Sequence, residues 1–330
     1  MYRTKKNKIK SFNKAIDILE NIFINSIKNS LKSNNVALFL SGGIDSGLIG
    51  YYLKKIGVKI ETITSMPSGL KSSEAKYSKI NFKKILPDKK IIDYFNTENL
   101  NENYYNHVLN LYKTPISNPA SLSITNIWKN YNLDKQEQIF FGQNADVITN
   151  AMDNRYILYF MIRFFMNKEK ALKNFLKCKT DNLIGQPLNI KLSKNLKITD
   201  LPIILNIYFL RTPADSELFA QPAINKNISI ANPYYNLNLI EFLMGLPLKY
   251  KIKLFKNKKN ILSLDKKILR SLALKNSFPQ ELVKRKKGFT TPFYKNKEKF
   301  IKNLPDTFNG IKLRNKEQKF SIYMLKKWLR

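Results

Sequence analysis

The 330-residue chain has one cysteine, Cys178, and one histidine, His107. A single cysteine forms no intrachain disulfide, and one cysteine plus one histidine falls short of the four ligands of a structural zinc site. A Cys-His or Ser-His catalytic pair would have to run through His107 alone. Acidic residues are few, 24 against 58 basic ones, which leaves a formal net charge of +34. Arginine is scarcer still: eight of the basic residues are Arg and fifty are Lys. Readers of nucleic acid lean on arginine for bidentate contacts to phosphate and base. A lysine, asparagine and isoleucine excess spread over the whole chain therefore reads first as the compositional bias of an AT-rich genome, and second as a preference for an anionic partner. Long apolar runs are missing too. The first dozen residues, MYRTKKNKIKSF, lack the apolar stretch of a signal peptide, residues 156–165 are interrupted by Arg163, and 201–210 is too brief to span a bilayer. The expectation is a soluble, cytoplasmic protein with no membrane segment. What is present, 43% hydrophobic and 25% charged residues, suits a globular chain with a large core.

Apolar positions Phe12, Ala15, Ile16, Leu19, Ile22, Phe23 and Ile27 have helical spacing and predict an amphipathic helix within residues 10–32. After it come an apolar run at 36–40, a glycine turn, and a helical pattern through Leu48, Ile49, Tyr52 and Leu53. The alternation continues with strands at 58–63, 91–94 and 138–141 and helices at 72–85, 101–111 and 122–131. Short buried strands between helices predict an α/β fold, a doubly wound parallel sheet covered on both faces. From about Met152 the strand signals stop and Pro-broken helical patterns dominate, and the Lys-rich stretch 249–259 reads as a solvated loop. The expected organisation is an N-terminal helix (1–32), a nucleotide-binding half (33–150), and a mostly helical half (151–330) for substrate and lid.

Between the first strand and its helix lies Ser41-Gly42-Gly43-Ile44-Asp45-Ser46. Unsatisfied N–H groups and the helix dipole make such a turn an anion site, the glycines allow close backbone approach, and the hydroxyls of Ser41 and Ser46 add donors. The Lys-Ser/Thr pair of a Walker loop is absent, as is the dinucleotide fingerprint. Asp45 inside an anion loop is understandable if a divalent cation bridges its carboxylate to a phosphate.

The SGGIDS loop resembles the pyrophosphate loop of the N-type ATP pyrophosphatases, and the rest of the chain resembles the asparagine synthetase family within them. Phe141-Gly142-Gln143-Asn144-Ala145-Asp146 is similar to the family's second signature. Asn232-Pro233-Tyr234-Tyr235-Asn236 with Leu239 to Phe242, Lys266-Lys267-Ile268-Leu269-Arg270, and PQELVKRKKGFTTP from Pro279 to Pro292 are similar to later landmarks, in the family's order. The resemblance implies an adenine nucleotide alpha hydrolase-like sheet and the cofactors ATP and Mg2+. Ser41, Gly42, Gly43, Asp45, Ser46 and Gly142 would hold pyrophosphate, and Asp45 and Asp146 the metal. It also implies a catalytic lid lysine, for which Lys286 and Lys287 both qualify because the passage is one residue short.

The departures from the family shape the expected reaction. No glutaminase precedes the synthetase region, so ammonia is expected from a separate partner. Val147 replaces a usual acidic residue, and Gln143 stands where asparagine synthetases have Glu. A glutamine can orient a nucleophile but cannot take its proton. The expected activity is an ATP-dependent amide-forming ligase that adenylates a small-molecule or peptide carboxylate for attack by ammonia or an amine. The alternative is a tRNA-modifying pyrophosphatase, which the net charge would suit.

Overall fold

The computed structural model describes residues 9, 11–67, 73–96, 100–131, 133–149, 212–251, 253–257, 260–264, 266–284, 304–313 and 316–330. Helix α1 (Phe12–Ser30) starts at Ser11, whose side chain accepts from the Lys14 amide, and buries Ala15, Ile16, Leu19, Phe23 and Ile27 along one face. Strand β1 (Asn35–Phe39) follows, then α2 (Ile44–Lys55), β2 (Lys59–Pro67), α3 (Ser73–Ile85), β3 (Lys89–Phe95), α4 (Glu102–Tyr112), α5 (Ala120–Asn130), β4 (Gln138–Phe140) and the single turn α6 (Ala145–Ile148). Later come α7 (Thr212–Asn225), β5 (Ser229–Ala231), α8 (Leu237–Gly245), α9 (Leu248–Lys251), the hairpin β6 (Lys253–Asn257) and β7 (Asn260–Leu264), and α10 (Lys267–Lys275). The described chain closes with α11 (Gln280–Lys284), the short pair β8 (Thr307–Phe308) and β9 (Ile311–Lys312), and α12 (Lys316–Trp328).

Strands β1 to β5 form one parallel sheet in the order β3-β2-β1-β4-β5. Side chains alternate across its central strands, as the pleat requires. Val36, Leu38 and Leu40 enter one core with Leu19, Phe23 and Ile27 of α1, Leu48 and Tyr52 of α2, and Leu269 and Leu272 of α10. Ala37 and Phe39 enter the other with Tyr112 of α4, Ile127 of α5 and Phe320 of α12. The doubly wound sheet expected from the alternating pattern is thus present. Because the order runs outward in both directions from β1 and β4, the topological switch point falls between these two strands. Ligands of such sheets bind in the crevice beyond the carboxyl ends at that point.

Two expectations fail. Strands do not stop at residue 152: β5 completes the sheet by pairing Gln138 with Ser229 and Phe140 with Ala231. Nor is 249–259 a solvated loop, since α9 and the β6–β7 hairpin run through it. Lys251 is 1% exposed and its ammonium donates to the Met244 carbonyl, 3.1 Å away, closing the C-terminal end of α8. Lysine density misleads here because a long aliphatic stem packs as readily as it solvates. Among the described residues no helix is long and apolar enough to cross a membrane.

Candidate active site

The loop after β1 is held by its own small side chains. The Ser41 amide donates to Ser46 Oγ (3.1 Å), the two hydroxyls pair at 3.1 Å, and the Gly43 amide donates to Ser41 Oγ (3.1 Å). Gly43 caps α2, and the first backbone bond inside that helix runs from Gly47 N–H to Gly43 O (3.4 Å). The amides of residues 44–46 precede it, so they have no acceptor within the helix. Ser41, Gly42, Gly43, Asp45 and Ser46 therefore surround one helix N-terminus at the switch point.

The loop after β4 meets the first at its glycine. A Cβ on Gly142 would lie 2.9 Å from Ser46 N and 3.1 Å from Ser46 Cα, so only glycine permits this approach. Asn144 adopts φ +67°, which turns the chain into α6 and sets Asp146 in its first turn. Asn232, just past β5, donates from its side chain to the Gln143 carbonyl (3.0 Å), and the Asn144 side chain bonds to the Tyr235 hydroxyl. Gln143 Oε1 is buried and has no hydrogen-bond partner among the described residues. Tyr234, fully buried, donates its hydroxyl to the Asp45 carbonyl (3.0 Å), and burial holds that phenol well above its ordinary pKa.

Lys266 joins the two loops. Its ammonium lies 2.5 Å from Asp45 Oδ2 and also pairs with Asp146 Oδ1. The Lys266 and Asp45 side chains are 11% and 18% exposed, whereas Asp146 is 56% exposed, so the cluster is dry on one side and open on the other. Burial by itself would lower the Lys266 pKa, but the charges of Asp146 and Asp45 outweigh it and hold the ammonium above the ordinary lysine value. For Asp45, burial pushes the carboxyl up, opposed by Lys266 and reinforced by the Asp146 charge, and the net direction is upward. Asp45 Oδ1 is buried with no hydrogen-bond partner among the described residues. Two carboxylates close enough to share one ammonium, one with an unused buried oxygen, are the hard donor pair a Mg2+ ion takes alongside phosphate oxygens. Among the described residues no group of three or more His, Cys, Asp or Glu side chains could hold a metal.

Eight of the ten residues that the sequence nominated thus converge at one crevice. The other two, Lys286 and Lys287, lie outside the described residues. Val147, in the place of a family carboxylate, is 4% exposed and packs with Met244, so it is a core residue. His107 is exposed on α4, an element of the opposite core, and takes no part in the cluster. Asn236 caps α8 by accepting from the Leu239 amide. Lys266 is the residue that sequence reasoning missed, although the landmark that contains it was recognised.

Residues 19–160 match the family model for asparagine synthase. No curated protein matches the chain. Among solved structures, a predicted tRNA methyltransferase subunit from Methanocaldococcus jannaschii is 16% identical, with 77% of this chain and 94% of that one covered and a TM-score of 0.28. The NH3-dependent NAD synthetase from Campylobacter jejuni is also 16% identical, with 71% and 92% covered and a TM-score of 0.27. Superpositions this loose say nothing about the site.

Proposed function

From an asparagine synthase domain over residues 19–160, we propose that the protein is an ATP-dependent, AMP-forming amide ligase. One observation carries the reading: Asp45 and Asp146, on different loops at the switch point of the sheet, reach a common cation. That geometry suits a triphosphate whose β and γ groups rest on the helix N-terminus and whose α group lies toward the acceptor.

In the proposed reaction, a substrate carboxylate oxygen attacks the α-phosphorus, the bond to the bridging oxygen breaks, and pyrophosphate leaves on the α2 amides and the hydroxyls of Ser41 and Ser46. A nitrogen nucleophile then attacks the acyl carbon, AMP departs, and the nitrogen sheds a proton to solvent. Asp45 and Asp146 would hold Mg2+, which would supply positive charge to neutralise the pyrophosphate. Lys266, already charged, balances the carboxylates before nucleotide arrives and offers its ammonium to phosphate oxygens afterwards. Gln143 orients the acceptor or the nucleophile through its unpartnered buried oxygen. Lys286 or Lys287 stabilises the charge that grows on the α-phosphate. The nucleophile is ammonia or an amine, and a separate glutaminase is one source that would supply ammonia. The tRNA-modifying alternative draws on net charge and on no feature of the site.

A panel of amino acids, uronic-acid sugars and short peptides, each offered with ATP, Mg2+ and ammonium, tests the proposal. The expected result is substrate-dependent release of AMP and pyrophosphate in equal amounts. ADP and phosphate as products, or AMP release that requires RNA, would overturn it.

A further inference from the structure

Asn81 lies on α3, an element that contributes nothing else to the site, and it is 0% exposed. Its side-chain nitrogen donates to Ser41 O (2.8 Å) and to Gly43 O (3.0 Å). Both hydrogens of the amide are thereby spent on carbonyls of the anion loop. In a trans peptide the carbonyl of one residue and the N–H of the next point in opposite directions. Fixing Ser41 O and Gly43 O toward α3 therefore aims the N–H groups of Gly42 and Ile44 away from it, toward the mouth of the crevice.

The other end of the side chain is poorly served. Asn81 Oδ1 is buried and has no hydrogen-bond partner among the described residues. An apolar side chain of similar size would fill the same space without the cost of an unmatched acceptor, so packing does not account for an amide here. Room for it comes from Gly47 on α2. A Cβ at that position would lie 2.7 Å from Asn81 Oδ1 and 3.3 Å from Asn81 Cγ. Asparagine at 81 and glycine at 47 are thus matched across the α2–α3 contact.

We infer that Asn81 is a positioning residue for pyrophosphate, setting the direction of the loop amides through the carbonyls of Ser41 and Gly43 with Gly47 as the space that admits it. The inference rests on the ATP reading above and concerns a residue that touches no ligand itself.

Calorimetric binding of pyrophosphate and, separately, of adenosine is to be measured for the full chain and for Asn81→Ala, Gly47→Ala and the double variant, with thermal melting alongside. Asn81→Ala should weaken pyrophosphate by about tenfold to a hundredfold, the range expected for two lost hydrogen bonds. Adenosine, which the loop does not hold, should bind within about twofold of the parent. Gly47→Ala should reproduce the loss by displacing the amide. The double variant should be no worse than the weaker single one, because the new methyl then no longer meets the amide and its remaining near neighbour is Phe278 Cε1 at 3.3 Å. Parent protein that binds neither pyrophosphate nor ATP would sink the ATP reading and this inference with it. A parent that binds pyrophosphate and an Asn81→Ala variant that binds it equally well would overturn the inference and leave the ATP reading standing. Equal losses of pyrophosphate and adenosine would make Asn81 a packing residue and overturn the inference in the same way.

Discussion

The two ends of the central sheet differ in charge far more than in architecture. At the amino end, where helices finish and strands begin, exposed lysines crowd together, among them Lys28, Lys32, Lys55, Lys59, Lys89 and Lys90. At the carboxyl end, the turns 40–43, 141–144 and 232–236 hold no side chain that is charged at neutral pH. Their residues are Gly, Ser, Asn, Gln, Pro, Leu, Phe and Tyr. Among the described residues, charge enters that end through Asp45, Asp146 and Lys266. The lesson is that a net charge of +34 says little about this crevice, where a buried carboxylate and ammonium lie side by side and neutral amides fix the loop geometry. Lysines at helix C-termini also suit the dipole there, so the amino end needs no ligand to explain it.

The sharpest way to break this comparison is to remove a carboxylate from the crevice. Asp45→Asn and Asp146→Asn should each lower pyrophosphate release by roughly a thousandfold or more, since each takes away one of the two carboxylate donors that the described residues bring to the site. Near-normal turnover in Mg2+ for either variant would mean that the chemistry lies elsewhere. Next in size is the lid lysine. Of Lys286→Ala and Lys287→Ala, one should cut single-turnover AMP formation by about 10²- to 10³-fold with ATP affinity little changed, and the other should be nearly normal. Two near-normal variants would mark the lysine run as solvated surface.

Smaller effects are expected away from the crevice. Glu20 on α1 accepts from the Tyr52 hydroxyl (2.9 Å), pairs with Lys275 (2.7 Å), and has Lys55 at 3.6 Å. Burial pushes its carboxyl up, but the hydrogen bonds from Lys275 and Tyr52 prevail and leave it below the ordinary glutamate value. A lowered folded pKa gives stability that is present above the unfolded value, about 4.3, and is lost as pH falls through the folded pKa. Glu20→Gln should therefore lose about 1 kcal/mol at neutral pH, and its denaturation midpoint should converge with the parent's once pH has fallen through the lowered folded pKa of Glu20. Coincident curves at all pH values would remove Glu20 from the list of stabilising contacts. Least of all should come from Lys32→Glu with Lys59→Glu, exposed at the starts of two adjacent strands. Pyrophosphate release should change by less than about twofold. Were tRNA the substrate, the same pair would reduce the log-log salt slope of RNA binding by roughly one unit per lysine.

What the sequence revealed and what it hid divide along physical lines. The loop at 41–46 and strands β1 to β4 were legible because glycine chemistry and short apolar runs are local signals. Strand β5 escaped because Ser229–Ala231 is three residues long and is made a strand by its neighbour β4. Lys251 looked solvated because composition cannot see where an ammonium ends up. Lys266 and Asn81 were invisible as site residues because their roles are purely spatial. One lies 221 residues from Asp45, and the other acts through backbone carbonyls that no sequence motif can display.

The pairing of β4 with β5 has a consequence for how the molecule assembles. Strands β1, β2 and β3 follow one another closely in the chain, whereas Phe140 must wait for Ala231 to find its partner. Closing so long a loop is slow relative to local pairing. On a ribosome, the glycine loop can thus be built while the chain that brings Asn232, Tyr234 and Lys266 is still being made. The amides that would receive a nucleotide are in place early, and the groups that would complete the crevice come last. Pulse-labelled hydrogen exchange during refolding should show residues 35–39 and 59–67 protected before 138–140, and the reverse order would show that the sheet is nucleated from its far edge.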